Sequence, residues 1–163
     1  GVARIDERGQ VLALTTREHG IVAPGFEQLV RAPDGRIWLA DGQGLRVFDH
    51  DCACFRPVTG ITQRVDSVVF TAPDRLHAYS AGALWSLRLD GPTTVVRESS
   101  IGPEAGLPAT TASSLCQVAG GRLWMSSARG LFAIDLRQGR AWPLGSHLGA
   151  ALQFGLRPSA VFQ

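Results

Sequence analysis

The fold of this chain follows from one stretch, which reads Pro33-Asp34-Gly35-Arg36-Ile37-Trp38-Leu39-Ala40-Asp41-Gly42-Gln43-Gly44-Leu45-Arg46-Val47-Phe48-Asp49. It contains two short apolar runs, joined by a glycine-rich connection and entered through a Pro-Asp-Gly turn. Short apolar runs between turn residues are typical of strands, and glycine supplies the positive φ that tight turns require. The stretch therefore predicts a pair of antiparallel strands anchored by Trp38 and Leu45.

The same phrase returns along the chain. A close copy spans Gly120–Asp135, a degenerate copy spans Asp74–Arg88, and half of a copy stands at the start of the chain, at Gly1–Asp6. Equivalent positions of the copies form three columns, which recur in one order with a period near 40 residues. They hold Trp38, His77 and Trp124 in the first column, Gly1, Gly44, Ala83 and Gly130 in the second, and the Gly-aliphatic pairs at Gly20, Gly60, Gly106 and Gly155 in the third.

Each period holds four short apolar or alternating runs, and no segment sustains a helical apolar period. In the first full copy the predicted strands are Glu27–Ala32, Arg36–Ala40, Leu45–Asp49 and Cys54–Thr59. Tandem four-stranded units of this length are typical of β-propeller blades. We predict an all-β propeller segment of four-stranded antiparallel blades, with a partial blade at 1–19, full blades at 20–59, 60–105 and 106–154, and the start of another at 155–163.

Composition narrows the classes of partner. The chain has 163 residues, a net charge of +2 and no lysine, and its arginines alternate with carboxylates instead of forming a basic stripe. Nucleic acid is therefore not an expected partner. No apolar run approaches the roughly 20 residues of a membrane helix, so this segment is not expected to contact the membrane. No targeting segment is visible in the sequence.

The titratable side chains do not form a recognisable catalytic or metal site. Cys52 and Cys54 are expected to be too close for an easy disulfide and lack a second ligand pair for zinc, while Cys116 reads as a small filler in an apolar strand. The four histidines fall in different columns, and His77 reads as a hydrogen-bonded histidine between blades. We therefore predict no metal, no cofactor and no catalytic residues.

Ligands of propellers usually enter one face of the central channel, which the first strands and the connections between second and third strands line. That geometry gives a set of candidate ligand-binding residues. They are Asp41, Gln43, Ser127 and Arg129 in the connections, with Arg31 and Gln117 on the first strands. A different acidic column, Asp6, Asp49 and Asp135, follows the third strand and is expected to cap turns instead.

The two best copies resemble the two-component regulator propeller repeat family. Asp34–Leu39 with Gly44–Asp49, and Leu123–Met125 with Gly130–Asp135, carry its acidic-Gly turn, aliphatic-Trp-aliphatic strand and Gly-Leu pattern, and Gly106-Leu107-Pro108 matches its entry into a blade. The resemblance implies an extracytoplasmic, periplasmic sensor region of an inner-membrane protein, placed upstream of a histidine kinase or diguanylate cyclase. It implies a non-enzymatic role in binding an unknown small-molecule or saccharide ligand.

Alternatives remain open at this point. The repeats are also similar to those of streptogramin-lyase-like propellers, which would make the chain an enzyme, and a plain protein-interaction scaffold is a third possibility. The chain begins at a third strand and ends at the start of a first strand. We expect a piece of a longer array, although ends that meet in a defective fourth blade are the other reading. Open blade faces would favour self-association.

Overall fold

The computed structural model describes residues 2–5, 7–15, 17–21 and 26–144, and they form fourteen strands and two short 3-10 turns. The strands are β1 Val2–Ile5, β2 Val11–Thr15, β3 Phe26–Arg31, β4 Ile37–Asp41, β5 Gly44–Asp49, β6 Cys54–Pro57, β7 Ser67–Ala72, β8 Arg75–Ser80, β9 Ala83–Leu89, β10 Val95–Ile101, β11 Ala112–Val118, β12 Arg122–Ser127, β13 Gly130–Asp135 and β14 Arg140–Pro143.

Successive strands pair antiparallel in separate sheets. Three sheets have four strands each, β3 to β6, β7 to β10 and β11 to β14, and we call them blades 1, 2 and 3. Strands β1 and β2 form a two-stranded sheet, the half-blade. The predicted fold class is thereby confirmed, and in blade 1 each predicted strand end lies within two residues of the observed one. The 3-10 turns Arg17–His19 and Pro103–Ala105 were not predicted, because three residues carry no periodic pattern.

Neighbouring blades bury their facing sides against one another. One core lies between blades 1 and 2 and includes Trp38, Val68 and Leu76, and another between blades 2 and 3 includes Leu84 and Met125. A blade has two apolar faces, so stacking is what removes both from water.

The two tryptophans of the first column show which side of a blade packs against the next blade. Trp38 is 0% exposed and packs edge-on against Phe70 of blade 2, with ring centroids 5.4 Å apart. Trp124, its equivalent in blade 3, is 41% exposed. No further sheet follows blade 3 within residues 26–144. The recurring tryptophan therefore occupies the side of each blade that meets the next blade.

The Gly-aliphatic column has a steric cause. Gly20, Gly60 and Gly106 have φ values of +88°, +93° and +97°. Each passes against the outer strand of the blade that follows it. A Cβ there would overlap a backbone carbonyl oxygen, that of Phe55, Val95 or Ala141 respectively. Only glycine combines this backbone conformation with so close an approach.

The acidic column caps turns where it is described. Asp49 Oδ1 accepts a hydrogen bond from the Asp51 N–H at 2.8 Å. Asp135 Oδ1 accepts one from the Arg137 N–H at 2.9 Å and one from the Gln138 N–H at 3.0 Å. The predicted capping role is confirmed for these two carboxylates, and Asp6 lies outside the described residues.

The expectation that Cys52 and Cys54 are too close for a disulfide was wrong. The structure joins them in a disulfide, with Cα atoms 5.2 Å apart. The expectation rested on the short separation along the chain and left out the backbone conformation between the two cysteines. Ala53 has φ of +51°, and the turn at this residue brings the two sulfur atoms together. Cys116 is a free, partly buried cysteine.

No helix among the described residues is long and apolar enough to cross a membrane.

Candidate functional site

The first strands of the three blades form the inner wall, and partly or fully buried hydrogen bonds connect them. The Gln28 side-chain oxygen on β3 accepts hydrogen bonds from the Ser67 hydroxyl at 3.0 Å and from the Val68 N–H at 2.7 Å. Ser67 Oγ in turn accepts the Leu115 N–H of β11 at 2.9 Å. Corresponding points of β3, β7 and β11 therefore meet, which places the equivalent turns of the three blades at the same end.

At one end of the strands lie the turns between second and third strands, which we call the turn face. Its first turn is organised by Asp41, a fully buried carboxylate. Asp41 Oδ1 accepts the Gln43 N–H at 2.7 Å, and Oδ2 accepts Arg46 Nε–H at 2.7 Å. Its backbone carbonyl accepts the Val65 N–H at 3.0 Å. Both carboxylate oxygens are thus engaged inside the protein, while Gln43 is exposed at the tip.

The corresponding turn of blade 3 presents an exposed cation. Ser127 Oγ accepts the Arg129 N–H at 3.2 Å and donates to the Gly130 carbonyl, also at 3.2 Å. These bonds fix the turn, and the Arg129 side chain extends into solvent. Gln43 and Arg129 are therefore the two predicted residues with exposed side chains on the turn face, and Gln43 Oε1 also accepts a hydrogen bond from Arg46 Nη2 at 3.2 Å.

The other two predicted residues lie towards the opposite end. Arg31 pairs with Ile37 at the end of β3, and Gln117 pairs with Leu123 near the end of β11. Five residues of strand separate Arg31 from the turn face, a distance of about 17 Å at roughly 3.3 Å per residue. The six candidates therefore do not converge on one site. Arg31 instead lines a cavity of about 430 Å³ between the inner strands of blades 1 and 2, beside Pro33 and Phe70.

A larger concavity lies between the half-blade and blade 1 and was not predicted. This groove has a volume of about 690 Å³ and a mostly apolar lining that includes Val2, Leu29, Phe48, Ala53 and Phe55. Comparison of equivalent positions could have indicated it. Leu29 is 38% exposed, whereas Val68 and Leu115 at the same position of blades 2 and 3 are buried. A preceding blade's inner strands would cover Leu29, and the half-blade lacks them among the described residues.

His77 is the one buried histidine among the described residues, and it faces blade 3 from β8. Its Nδ1 lies 3.1 Å from the Ser86 hydroxyl, as predicted for a hydrogen-bonded histidine between blades. Burial, with a smaller contribution from the nearby Arg75, lowers the pKa of His77 to about 4, and Glu98 partly opposes both effects. An imidazole with this pKa is a weak general base near pH 7, so the Ser86–His77 pair reads as packing and not as catalysis.

No group of three or more His, Cys, Asp or Glu side chains within the described part of the chain is placed to hold a metal ion.

No protein-family model matches the chain, and no curated protein matches it. Solved structures do. Two structures of the extracellular domain of BT4673 from B. thetaiotaomicron align with 85% of this chain at 12% identity, with TM-scores of 0.67 and 0.66. That protein is assigned to one component systems in one structure and to hybrid two component systems in the other. The allergen Mala s 1 from Malassezia sympodialis aligns with 72% of the chain at 11% identity and a TM-score of 0.53.

These likenesses concern the fold. The chain spans 21% of the length of the BT4673 domain structures and 48% of the Mala s 1 chain. At such low identity the shared feature is the stacking of four-stranded antiparallel sheets.

Proposed function

We propose that this chain is part of the extracytoplasmic, ligand-sensing propeller of a bacterial membrane signalling protein of the two-component or diguanylate-cyclase type. The observation that carries the proposal is the fold likeness to the extracellular domain of BT4673 over 85% of the chain.

The segment itself acts without catalysis in this proposal. The residues that most resemble catalytic groups have structural partners: Asp41 with Arg46, Asp135 with its turn, and His77 with Ser86. The oxygens of Asp41 and Asp135 are engaged in these bonds, and with a pKa of about 4 the His77 imidazole is a weak general base near pH 7. The segment's role would be to bind a ligand and transmit that binding to an output domain elsewhere in the protein.

The turn face is the proposed binding surface, and Gln43 and Arg129 are its contact residues. An amide and a guanidinium together donate and accept hydrogen bonds, which suits a polar small molecule or a saccharide. Ser127 would hold the Arg129 turn, and Asp41 would hold the Gln43 turn through its buried pair with Arg46. Arg31 and Gln117 would belong to the opposite end of the channel.

The test is a thermal-shift screen of the chain against a panel of monosaccharides, oligosaccharides and small polar metabolites. A ligand that binds only the folded state raises Tm, by an amount that grows with the logarithm of the ratio of its free concentration to its Kd. We expect at least one class to raise Tm, and Arg129→Ala to abolish the shift. The matched control is Arg137→Ala, an exposed arginine of the same blade in a turn at the other end of the sheet. Equal shifts for both variants, or no hit in the panel, would refute the proposed surface.

A further inference from the structure

The turn that joins β5 to β6 in blade 1 carries a cross-link that its counterpart lacks. Residues 50–53 connect Asp49 to Cys54, and residues 136–139 connect Asp135 to Arg140 in blade 3. Both loops have four residues, and in both the aspartate accepts the N–H two positions later. The last loop residue is left-handed in both, at φ of +51° for Ala53 and +62° for Gly139. Blade 3 therefore makes this turn with glycine and without cysteine.

The cross-link adds little to fold stability. The stabilisation that a disulfide provides by restricting the unfolded chain increases with the length of the loop that it closes, and this loop spans a sequence separation of only 2. The cross-linked turn also contains an alanine in the left-handed conformation, which residues other than glycine disfavour, although Ala81 adopts the same conformation in the turn between β8 and β9 without a cross-link. Stabilisation of the fold therefore does not explain the two cysteines.

The two sulfur atoms have different surroundings. Cys52 and Ala53 are exposed, whereas Cys54 is half-buried and precedes Phe55, which belongs to the small core under the half-blade. An incoming thiolate therefore has access to the Cys52 sulfur, and Cys54 is the leaving group fixed to the core. The third cysteine, Cys116, lies in blade 3, and burial raises the pKa of its thiol.

The turn also forms part of the wall of the groove. Ala53 lines it together with Phe48, His50 and Phe55. Phe48 contacts the rings of both His50 and Phe55 edge-on, at centroid distances of 5.0 and 5.2 Å. A change in the backbone of residues 50–54 would therefore move the groove wall.

We propose that Cys52–Cys54 is a thiol–disulfide exchange site whose substrate is a dithiol, and whose redox state sets the shape of the groove wall. A thiolate of the dithiol attacks the Cys52 sulfur, forms a mixed disulfide and releases the Cys54 thiolate, which takes up a proton. The second thiol of the same dithiol then attacks the dithiol's sulfur atom in the mixed disulfide. This step releases Cys52 as a thiolate, which takes up the second proton. The chain gains two electrons and two protons as two thiols, and the dithiol becomes a disulfide. Once the bond opens, Ala53 can leave its left-handed conformation.

The first test equilibrates the folded chain in buffers of reduced and oxidised glutathione, or of reduced and oxidised dithiothreitol, and then alkylates free thiols for mass spectrometry. A Cys116→Ser background keeps the third cysteine from scrambling the pair. We expect Cys52 and Cys54 to become alkylated in glutathione buffers that leave ordinary structural disulfides oxidised, with the thermal unfolding transition retained. A pair that stays oxidised until the chain unfolds would overturn the proposal.

Ala53→Gly tests the role of the turn. Glycine removes the cost of the left-handed conformation, so we expect the dithiol-to-disulfide ratio in a given buffer to fall about fivefold. An unchanged ratio would show that the turn conformation is not coupled to the bond.

Hydrogen exchange tests the movement of the groove wall. On reduction, amide protection across residues 48–57 is expected to fall about tenfold, while the equivalent residues 134–143 of blade 3 serve as an internal reference and stay unchanged. The double variant Cys52→Ser/Cys54→Ser should reproduce the reduced pattern. Equal protection in the oxidised and reduced chains would refute the conformational part. The inference does not rest on the ligand-sensing role, because neither measurement includes a sensed ligand.

Discussion

Gly60→Ala tests the steric cause of the Gly-aliphatic column. Gly60 has φ of +93°, and an alanine Cβ there would overlap the Val95 carbonyl oxygen on the outer strand of blade 2. The unfavourable φ alone costs about 1–2 kcal/mol. The connection must also move away from β10, which threatens the hydrogen bonds from Thr59 N–H to the Thr93 carbonyl at 2.8 Å and from Val95 N–H to the Thr59 carbonyl at 2.9 Å.

Each of these hydrogen bonds contributes about 1 kcal/mol net. The expected total loss is therefore about 3–4 kcal/mol, a large fraction of the roughly 5–15 kcal/mol by which domains are stable. The assay is equilibrium unfolding in urea, followed by tryptophan fluorescence and evaluated by linear extrapolation. Trp38 reports well because it is fully buried between blades 1 and 2.

Gly120→Ala is the matched control. Gly120 has a similar φ of +80°, but an added Cβ would meet nothing within 4 Å. This variant should lose only the conformational share, about 1–2 kcal/mol. The difference of about 2 kcal/mol between the variants measures the carbonyl overlap. Losses that agree within about 0.5 kcal/mol would refute the idea that close approach, and not φ alone, maintains the glycine column.

Four other substitutions probe the packing of the blades. Trp38→Ala should lower the free energy of unfolding by about 3–5 kcal/mol and Trp124→Ala by about 1–2 kcal/mol, because Trp124 is already 41% exposed; equal losses in urea would contradict the stacking argument. Ser67→Ala should cost about 2–3 kcal/mol, since it leaves the Leu115 N–H without its acceptor, and a loss below about 1 kcal/mol would argue against the inner-wall hydrogen bonds. Since the pKa of His77 is about 4 in the folded chain and about 6.5 for an ordinary histidine, the unfolded chain binds more protons below pH 6.5. The contribution of His77 to the free energy of unfolding should therefore be fully present above pH 6.5. The free energy of unfolding should fall by about 2–3 kcal/mol as the pH drops to 4. His77→Gln should flatten that slope in urea titrations, and an unchanged slope would assign it to other groups.

Much of the architecture was predictable because its causes are local. Alternating apolar residues between turn residues specify a strand wherever they occur. The steric demand at Gly20, Gly60 and Gly106 restricts these positions to glycine, and a recurring glycine is visible in the sequence. The acidic column was predictable for the same reason, since Asp49 and Asp135 accept hydrogen bonds from N–H groups two or three residues away.

The candidate site was less predictable because its determinants are distant in the sequence. Asp41 looks like an accessible turn residue until β5 brings Arg46 against it and the connection through Val65 covers it. Gln43 and Arg129 share the turn face only because the inner strands stack in register. The groove exists because one side of Leu29 faces a half-blade instead of a full one.

The sequence by itself determined the strands, their turns and their period, since each depends on residues within a few positions of one another. Tertiary structure decided which carboxylates are buried, which polar side chains share a face, and that Cys52 and Cys54 meet. Those outcomes depend on how sheets stack and on the backbone angle at Ala53, and a side chain acquires its partners only when separate strands are brought together.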